Sequence, residues 1–345
     1  MVRYGLTKIE QVITDWRWGE EMMKRFSVVL LLMLLAVTAI ARNNQPMAGR
    51  KSLAERLGFK ATDKILIVNC DDVGNSHAAN SAVIDAMTNG LVTSATIMVP
   101  CPWFPEIAAY AKANPNADFG LHLTHTAEWK GYKWGPVASK SDVPGLVDAQ
   151  GYLYPDIFQV YKTATPEQAY IEAKAQIKKA LAAGIDVTHL DSHMGALQYN
   201  EAYFQVYRRL ANEFNLPIRM GSQEILAAQG GGHQRGQLDA DGVIYPDYLI
   251  HGGRNKGETI QDYWKRMLSN LKPGVTELYI HAAQAGDEIK HITNSWQERN
   301  GEYELFTRDP EIRRLLESQN VNRIGFRALR ELQHKERAAK KPAAG

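Results

Sequence analysis

The stretch Lys64-Ile65-Leu66-Ile67-Val68-Asn69-Cys70-Asp71-Asp72-Val73-Gly74 decides the fold. From Ile65 to Val68 it is an unbroken apolar run with β-branched members. A half-exposed strand alternates apolar and polar side chains. A continuous run instead suits a strand buried on both faces, as in a parallel sheet covered by helices. Asp71 and Asp72 fall where such a strand ends, and Asn75 or Ser76 can cap a helix reaching about Thr88, closed by Asn89-Gly90.

Working outward, further strands are expected at 93–99, 118–124, 187–191, 217–219, 275–281 and 323–326. Helices are expected at 104–114, 166–182, 201–214, 259–271 and 310–318, with one more closing the chain. Pro166 near the start of the second of these segments and Gly184 after its end follow the usual terminal preferences. About seven strands alternating with helices make the chain α/β, either a (β/α) barrel or a doubly wound sheet. Two long insertions, 127–165 and 221–258, show no regular pattern, and loops of that length are usually functional or mobile. The first carries Trp129, Tyr132, Trp134, Tyr152 and Tyr154, which either line a sugar groove or pack a small core of their own.

The 345 residues carry 40 Lys and Arg against 38 Asp and Glu, a net charge of +2 that gives no support to a nucleic-acid partner. Two cysteines exclude a disulfide framework and a four-cysteine zinc module. Cys70 and Cys101 are either one disulfide or two buried thiols. Met23-Lys24-Arg25, the apolar run from Val28 to Ile40 and the Ala39-Ile40-Ala41 exit read as a signal peptide, the alternative being an uncleaved membrane anchor. An apolar stretch this short leaves no stable membrane span after cleavage near Ala41. The expected organisation is therefore an extension plus signal over 1–41, a leading segment over 42–62, the barrel domain over 63–335 and a flexible tail over 336–345. The mature protein is expected to be exported, periplasmic or secreted, and a homo-oligomer is left open.

Ionisable residues collect at the expected strand ends. Asp71-Asp72 follows the first strand, His122 lies in Gly120-Leu121-His122-Leu123-Thr124, His193 closes Thr188-His189-Leu190-Asp191-Ser192-His193, and His281 ends Leu278-Tyr279-Ile280-His281. The carboxyl ends of parallel strands share one face, where catalytic groups gather. One Asp with two His makes a sound set for a divalent ion that keeps a position open for water. Asp71 and Asp72 point to opposite sides of an ideal strand, so both reach one site only if the chain turns there, as Gly74 permits. Asp191, Arg219 and Trp129 are candidates to support the site or touch substrate. His189 can share a side with Asp191 and His193, His125 is expected to be structural or exposed, His77 has at most a minor claim, and His233 and His251 are expected in solvent.

The segment Ile67–Gly74, the later Gly90-Leu91-Val92-Thr93-Ser94-Ala95-Thr96, the Gly-Leu-His-Leu-Thr segment and Thr-His-Leu-Asp-Ser-His together resemble the YdjC/ChbG-like carbohydrate deacetylases. The resemblance implies a (β/α) barrel of the deacetylase type, an N-acetylated saccharide as substrate and one divalent metal ion. Mixed oxygen and nitrogen ligands suit Zn2+, while Mg2+ would need more oxygen and water. Residue by residue, it implies Asp72, His122 and His193 as metal ligands, Asp71 as general base and His281 as the late catalytic histidine. Two stretches depart from the pattern. Met194-Gly195-Ala196-Leu197 stands where chitin-type members tend to carry further histidines, and Ala282-Ala283-Gln284 follows His281 where Pro-Gly is usual. Alternative functions are hydrolysis of another amide or ester on the same barrel, or carbohydrate binding without catalysis.

Overall fold

The computed structural model describes residues 51–340, so the signal peptide and its cleavage site lie outside the described residues. The strands are β1 (Lys64–Val73), β2 (Ser94–Ile97), β3 (Phe119–Leu123), β4 (Val187–Ser192), β5 (Tyr248–Ile250), β6 (Gly274–Ile280) and β7 (Asn322–Arg323). All are parallel, in the order β4-β3-β2-β1-β6-β5, with β7 pairing the start of β1. Between β4 and β5 runs an extended segment. Its Ile218 bridges Leu190 and donates its N–H to Ile244, and Ser222 exchanges hydrogen bonds with Leu249. Chain order therefore proceeds once around a ring back to β1, which is the winding of a (β/α) barrel rather than of a doubly wound sheet.

β1 shows how the barrel positions a site. Every residue from Ile65 to Val73 is buried, which accounts for the apolar run. Leu66, Val68 and Cys70 pack into the main core under the surrounding helices. Ile65 and Ile67 face a second cluster with Leu53, Ile244, Val275 and Phe326. Alternation puts Asn69 and Asp71 on that second face, so it turns from apolar to polar toward the carboxyl end of the strand. The helices around the ring begin at side-chain caps that the sequence supplies: Ser76 for His77–Asn89, Thr165 for Pro166–Ala182, Asn200 for Glu201–Glu213 and Thr259 for Ile260–Ser269.

Several expected elements change. Residues 217–219 form only the bridge to Leu190, and the fifth strand is Tyr248–Ile250, inside a stretch expected to be irregular. That stretch also holds helices Gln223–Ala228 and Gln234–Asp241, short pieces separated by Gly230-Gly231-Gly232 that offer little periodicity to read. The first insertion contains helix Ile157–Thr163 and a 3-10 turn at Pro144–Leu146. Helices Asp287–Ile292 and Trp296–Thr307 were not expected. The second buries Arg299, Glu302 and Tyr303 along with Leu305 and Phe306, which masks an apolar stripe. The last helix runs to Lys340, and Arg56 pairs with its Glu336 at 2.7 Å, so the tail expected from residue 336 is helical that far. Both cysteines are free and buried. No helix among the described residues is long and apolar enough to cross a membrane.

Candidate metal centre and active site

The strand ends converge as the sequence suggests. β1 breaks register between Cys70 and Val73, and Asp72 adopts φ 64°, in the left-handed region. Asp is one of the few side chains that enter this region at modest cost, of order 1–2 kcal/mol. The effect is to turn Asp72 toward the side Asp71 already faces. The expected turn is thus real, but it lies at Asp72 itself as well as at Gly74, whose φ is 91°. The β3–β4 register sets His122 directly beside Asp191. His193 follows β4 in a one-turn 3-10 helix whose Met194 is also left-handed, with φ 51°.

Asp72 Oδ1 lies 3.5 Å from His122 Nε2 and 3.4 Å from His193 Nδ1. The three groups offer ligand atoms all within 4.8 Å of one another, and all three residues are buried. Each imidazole has a carboxylate at its far nitrogen: Asp191 Oδ2 lies 2.6 Å from His122 Nδ1, and Glu128 Oε2 lies 3.0 Å from His193 Nε2. Only the His193–Glu128 contact is a hydrogen bond; it fixes that ring and leaves Nδ1 free to coordinate, while Asp191 places its charge against His122. Asp72 Oδ1 is buried without a hydrogen-bond partner, whereas Oδ2 accepts from Arg299 Nη2 at 2.7 Å. Burial opposes charge on His193, yet Glu128 and Asp72 raise its pKa to about 10. Positive charge is therefore strongly favoured where these groups meet. An orphaned carboxylate oxygen facing two oriented imidazoles fits a divalent cation.

Asp71 sits beside this set, its Oδ2 4.0 Å from His122 Nε2. Arg219 grips it with both Nη atoms, at 2.6 Å and 2.8 Å, while Asn69 and Thr96 donate to Oδ1. Burial works to raise the Asp71 pKa, but the Arg219 guanidinium outweighs it and holds the carboxyl well below the usual range. Arg219 also binds Asp191 at 2.5 Å and Glu277 at 2.7 Å, and its guanidinium lies 4.4 Å from the centre of the Tyr279 ring. Burial pushes the Glu277 carboxyl up to about 8 despite its contact with Arg219.

His281 follows β6 directly and lines the same cavity, of about 340 Å³. Burial lowers its pKa, so it rests neutral. The other wall of the cavity is largely apolar, with Met194, Tyr199, Met220, Ile225, Leu226 and Leu249.

Other expected residues fall elsewhere. Trp129 does not line this cavity; it packs on Trp134 and Tyr132 and lies 5.5 Å from the Arg299 guanidinium. Trp134 is buried in the main core and donates to Thr126, and Trp129 and Tyr132 pack against that core. His189 shares the barrel interior with Asp191 but stacks on Phe326 below the site. His125 is buried against Ala169, His77 pairs with Glu106, and His233 pairs with Glu201. His251, expected in solvent, is exposed but rests against the Tyr279 hydroxyl at the cavity wall.

Four participants were not anticipated. Glu277 and Tyr279 alternate with His281 along β6, and polar residues at period two in an apolar strand were a readable signal. Glu128 and Arg299 gave none, since only the fold brings the insertion and the late helix to the strand ends.

A family model described as YdjC-like protein matches residues 65–318. Curated carbohydrate deacetylases from Thermoanaerobacter pseudethanolicus and Brevibacillus brevis are 29% and 28% identical to this chain. Those alignments cover 75% and 76% of this chain, and 96% and 99% of the relatives. A crystal structure from Enterococcus faecalis V583, of a proposed cellobiose-phosphate cleavage protein, superposes with a TM-score of 0.68 at 26% identity. It matches over 77% of this chain and 99% of its own. With the family's pattern running through every strand that carries a candidate ligand, this chain belongs to the YdjC-like protein family.

Proposed function

We propose that the protein is a metal-dependent carbohydrate deacetylase that removes acetyl groups from N-acetylated amino sugars. The observation that carries this reading is the juxtaposition of a carboxylate held by an arginine, Asp71, with the oriented set Asp72, His122 and His193. Near full-length relatives named carbohydrate deacetylase support it.

A divalent cation held by Asp72, His122 and His193 would supply acidification of a water, to a pKa of roughly 7 in favourable zinc sites, and polarisation of the acyl oxygen. Asp71 accepts the water's proton at Oδ2. The Arg219 guanidinium favours its ionised form and fixes its orientation. Glu128 hydrogen-bonds His193 Nε2 and so favours the tautomer that presents Nδ1, and Asp191 places a carboxylate against His122 Nδ1. The proton Asp71 takes from the water passes to the leaving amine, with His281 on the same cavity wall placed to relay it.

Screening N-acetylated mono-, di- and oligosaccharides for acetate release tests the activity. Asp71→Asn should lower turnover by about 10²–10⁴-fold while the protein still binds one metal ion; undiminished turnover would remove Asp71 as the base. Export, argued from residues 23–41, belongs to the same proposal. N-terminal sequencing of the exported protein should begin at Arg42, and an intact Met1 would refute it.

A further inference from the structure

Arg299 is placed to do more than neutralise Asp72. It is buried to 8% exposure, and its guanidinium is anchored on two edges. Nη2 donates to Asp72 Oδ2 at 2.7 Å and Nε donates to Ser295 Oγ at 3.2 Å, with the Trp129 ring 5.5 Å away. The remaining nitrogen, Nη1, is buried and has no hydrogen-bond partner. An unpartnered buried donor costs about 1–3 kcal/mol, more when charged, so a fold that orders three other contacts around it calls for a ligand there.

The position indicates which ligand. Arg299 lines the metal-centre cavity and also a second one of about 350 Å³, sharing Tyr279 and His281 as their common wall. A guanidinium is one rigid plane, so Nη1 is held beside the same carboxylate that supplies Asp72 Oδ1 to the metal set. An acceptor reaching Nη1 from the first cavity therefore lies close to where the acyl group must sit for Asp71 to act.

Resting on the deacetylase reading, we propose that Arg299 Nη1 donates a hydrogen bond to the acyl oxygen of the substrate as negative charge develops on it. In the addition step the water oxygen bonds to the acyl carbon, the carbon–oxygen π pair moves onto the acyl oxygen and the water's proton goes to Asp71. When the carbon–nitrogen bond breaks, its pair goes to nitrogen, the oxygen pair returns to re-form the carbonyl, and the amine leaves with the proton Asp71 had taken up. Arg299 transfers none of these; it lowers the energy of the charged stage. A preorganised charged donor is well suited to that task, and loss of one such donor typically costs about 10²–10³ in turnover.

The test separates this role from the tether to Asp72. Arg299→Lys keeps a cation that can pair with Asp72 and lacks the second donor nitrogen. Its metal affinity, from chelator competition, should stay within a few-fold of wild type. Acetate, a small carboxylate that offers an oxygen to the metal and another to Nη1, should bind the metal-loaded variant about 10-fold or more weakly by calorimetry. This measurement needs no turnover, so it remains readable even if no N-acetylated sugar proves to be a substrate. With an active substrate, kcat should fall about 10²-fold with KM little changed, and guanidinium ion should partly restore kcat in Arg299→Ala. A loss that excess metal fully restores, a rise in KM alone, or unchanged acetate binding would each overturn the proposal.

Discussion

Asp191 and Glu128 each stand behind one imidazole, 2.6 Å from His122 Nδ1 and 3.0 Å from His193 Nε2. Neither belongs to the Asp72, His122 and His193 set, yet each places a carboxylate against the far nitrogen of its histidine. Glu128→Gln keeps the shape of the side chain but can present its NH2 group to His193, so the ring loses its charged partner. The expected outcome is metal affinity weaker by about 10–100-fold, read by chelator competition, with the fold retained in circular dichroism. Asp191 was legible from its place in Thr188-His189-Leu190-Asp191-Ser192-His193, because strand alternation puts it on the interior face. Glu128 was not, because it lies on an insertion whose path the sequence does not reveal.

Among the elements, β3 and β4 show how closely the barrel interior is fitted around the site. Gly120 precedes His122 by two residues on the same face, and a Cβ there would overlap the His189 ring. That ring cannot withdraw: it stacks on Phe326 at 3.7 Å and pairs with Thr188 at 3.0 Å. Gly120→Ala should therefore destabilise the protein by about 3 kcal/mol, seen as a lower denaturant midpoint with an unchanged slope. The glycine in the family-like Gly-Leu-His-Leu-Thr segment is thus explained by close packing rather than by a turn. The elements most visible in the sequence were those with one clean environment: β1, buried on both faces, and Pro166–Ala182, capped at Thr165. Helix Trp296–Thr307 escaped notice because it turns polar side chains, Arg299 and Glu302, into the interior.

Across the whole molecule, the long insertions are fastened to the barrel by buried polar groups. Glu172 of helix Pro166–Ala182 accepts from the backbone of Val137 and Ala138, and Gln168 accepts from Gly145, so the loop bearing Glu128 is pinned to the frame. His125, at the root of that loop, bonds Ala169 O through Nε2. Burial lowers its pKa to about 4, below the usual 6.5. A histidine depressed in the folded state contributes stability that is fully present above pH 6.5 and lost as the pH falls toward 4. His125→Gln should flatten the acid side of the stability curve, with the wild type losing up to about 3 kcal/mol more across that window. Thermal unfolding of both proteins at a series of pH values checks this; parallel curves would show that His125 is not the group.

The opening stretch determined a good deal by itself. A strand buried on both faces must be apolar wherever it meets two cores, so Ile65–Val68 specified a parallel α/β fold, and the carboxylates after it marked the end where chemistry collects. Repeated strand ends carrying Asp or His then marked one face as the place where ionisable groups gather, because parallel strands bring those ends to one side; the resemblance to a family singled out Asp72, His122 and His193 among them. Tertiary structure alone decided three things. It closed the ring with 217–222 and Tyr248–Ile250 in place of the expected fifth strand. It turned Asp72 out of the strand's alternation, a backbone conformation that local sequence permits but does not require. It also brought Glu128 and Arg299 to His193 and Asp72, across separations of 65 and 227 residues. Periodicity reports the environment of a residue along its own element, and contacts made across such distances leave no trace in it.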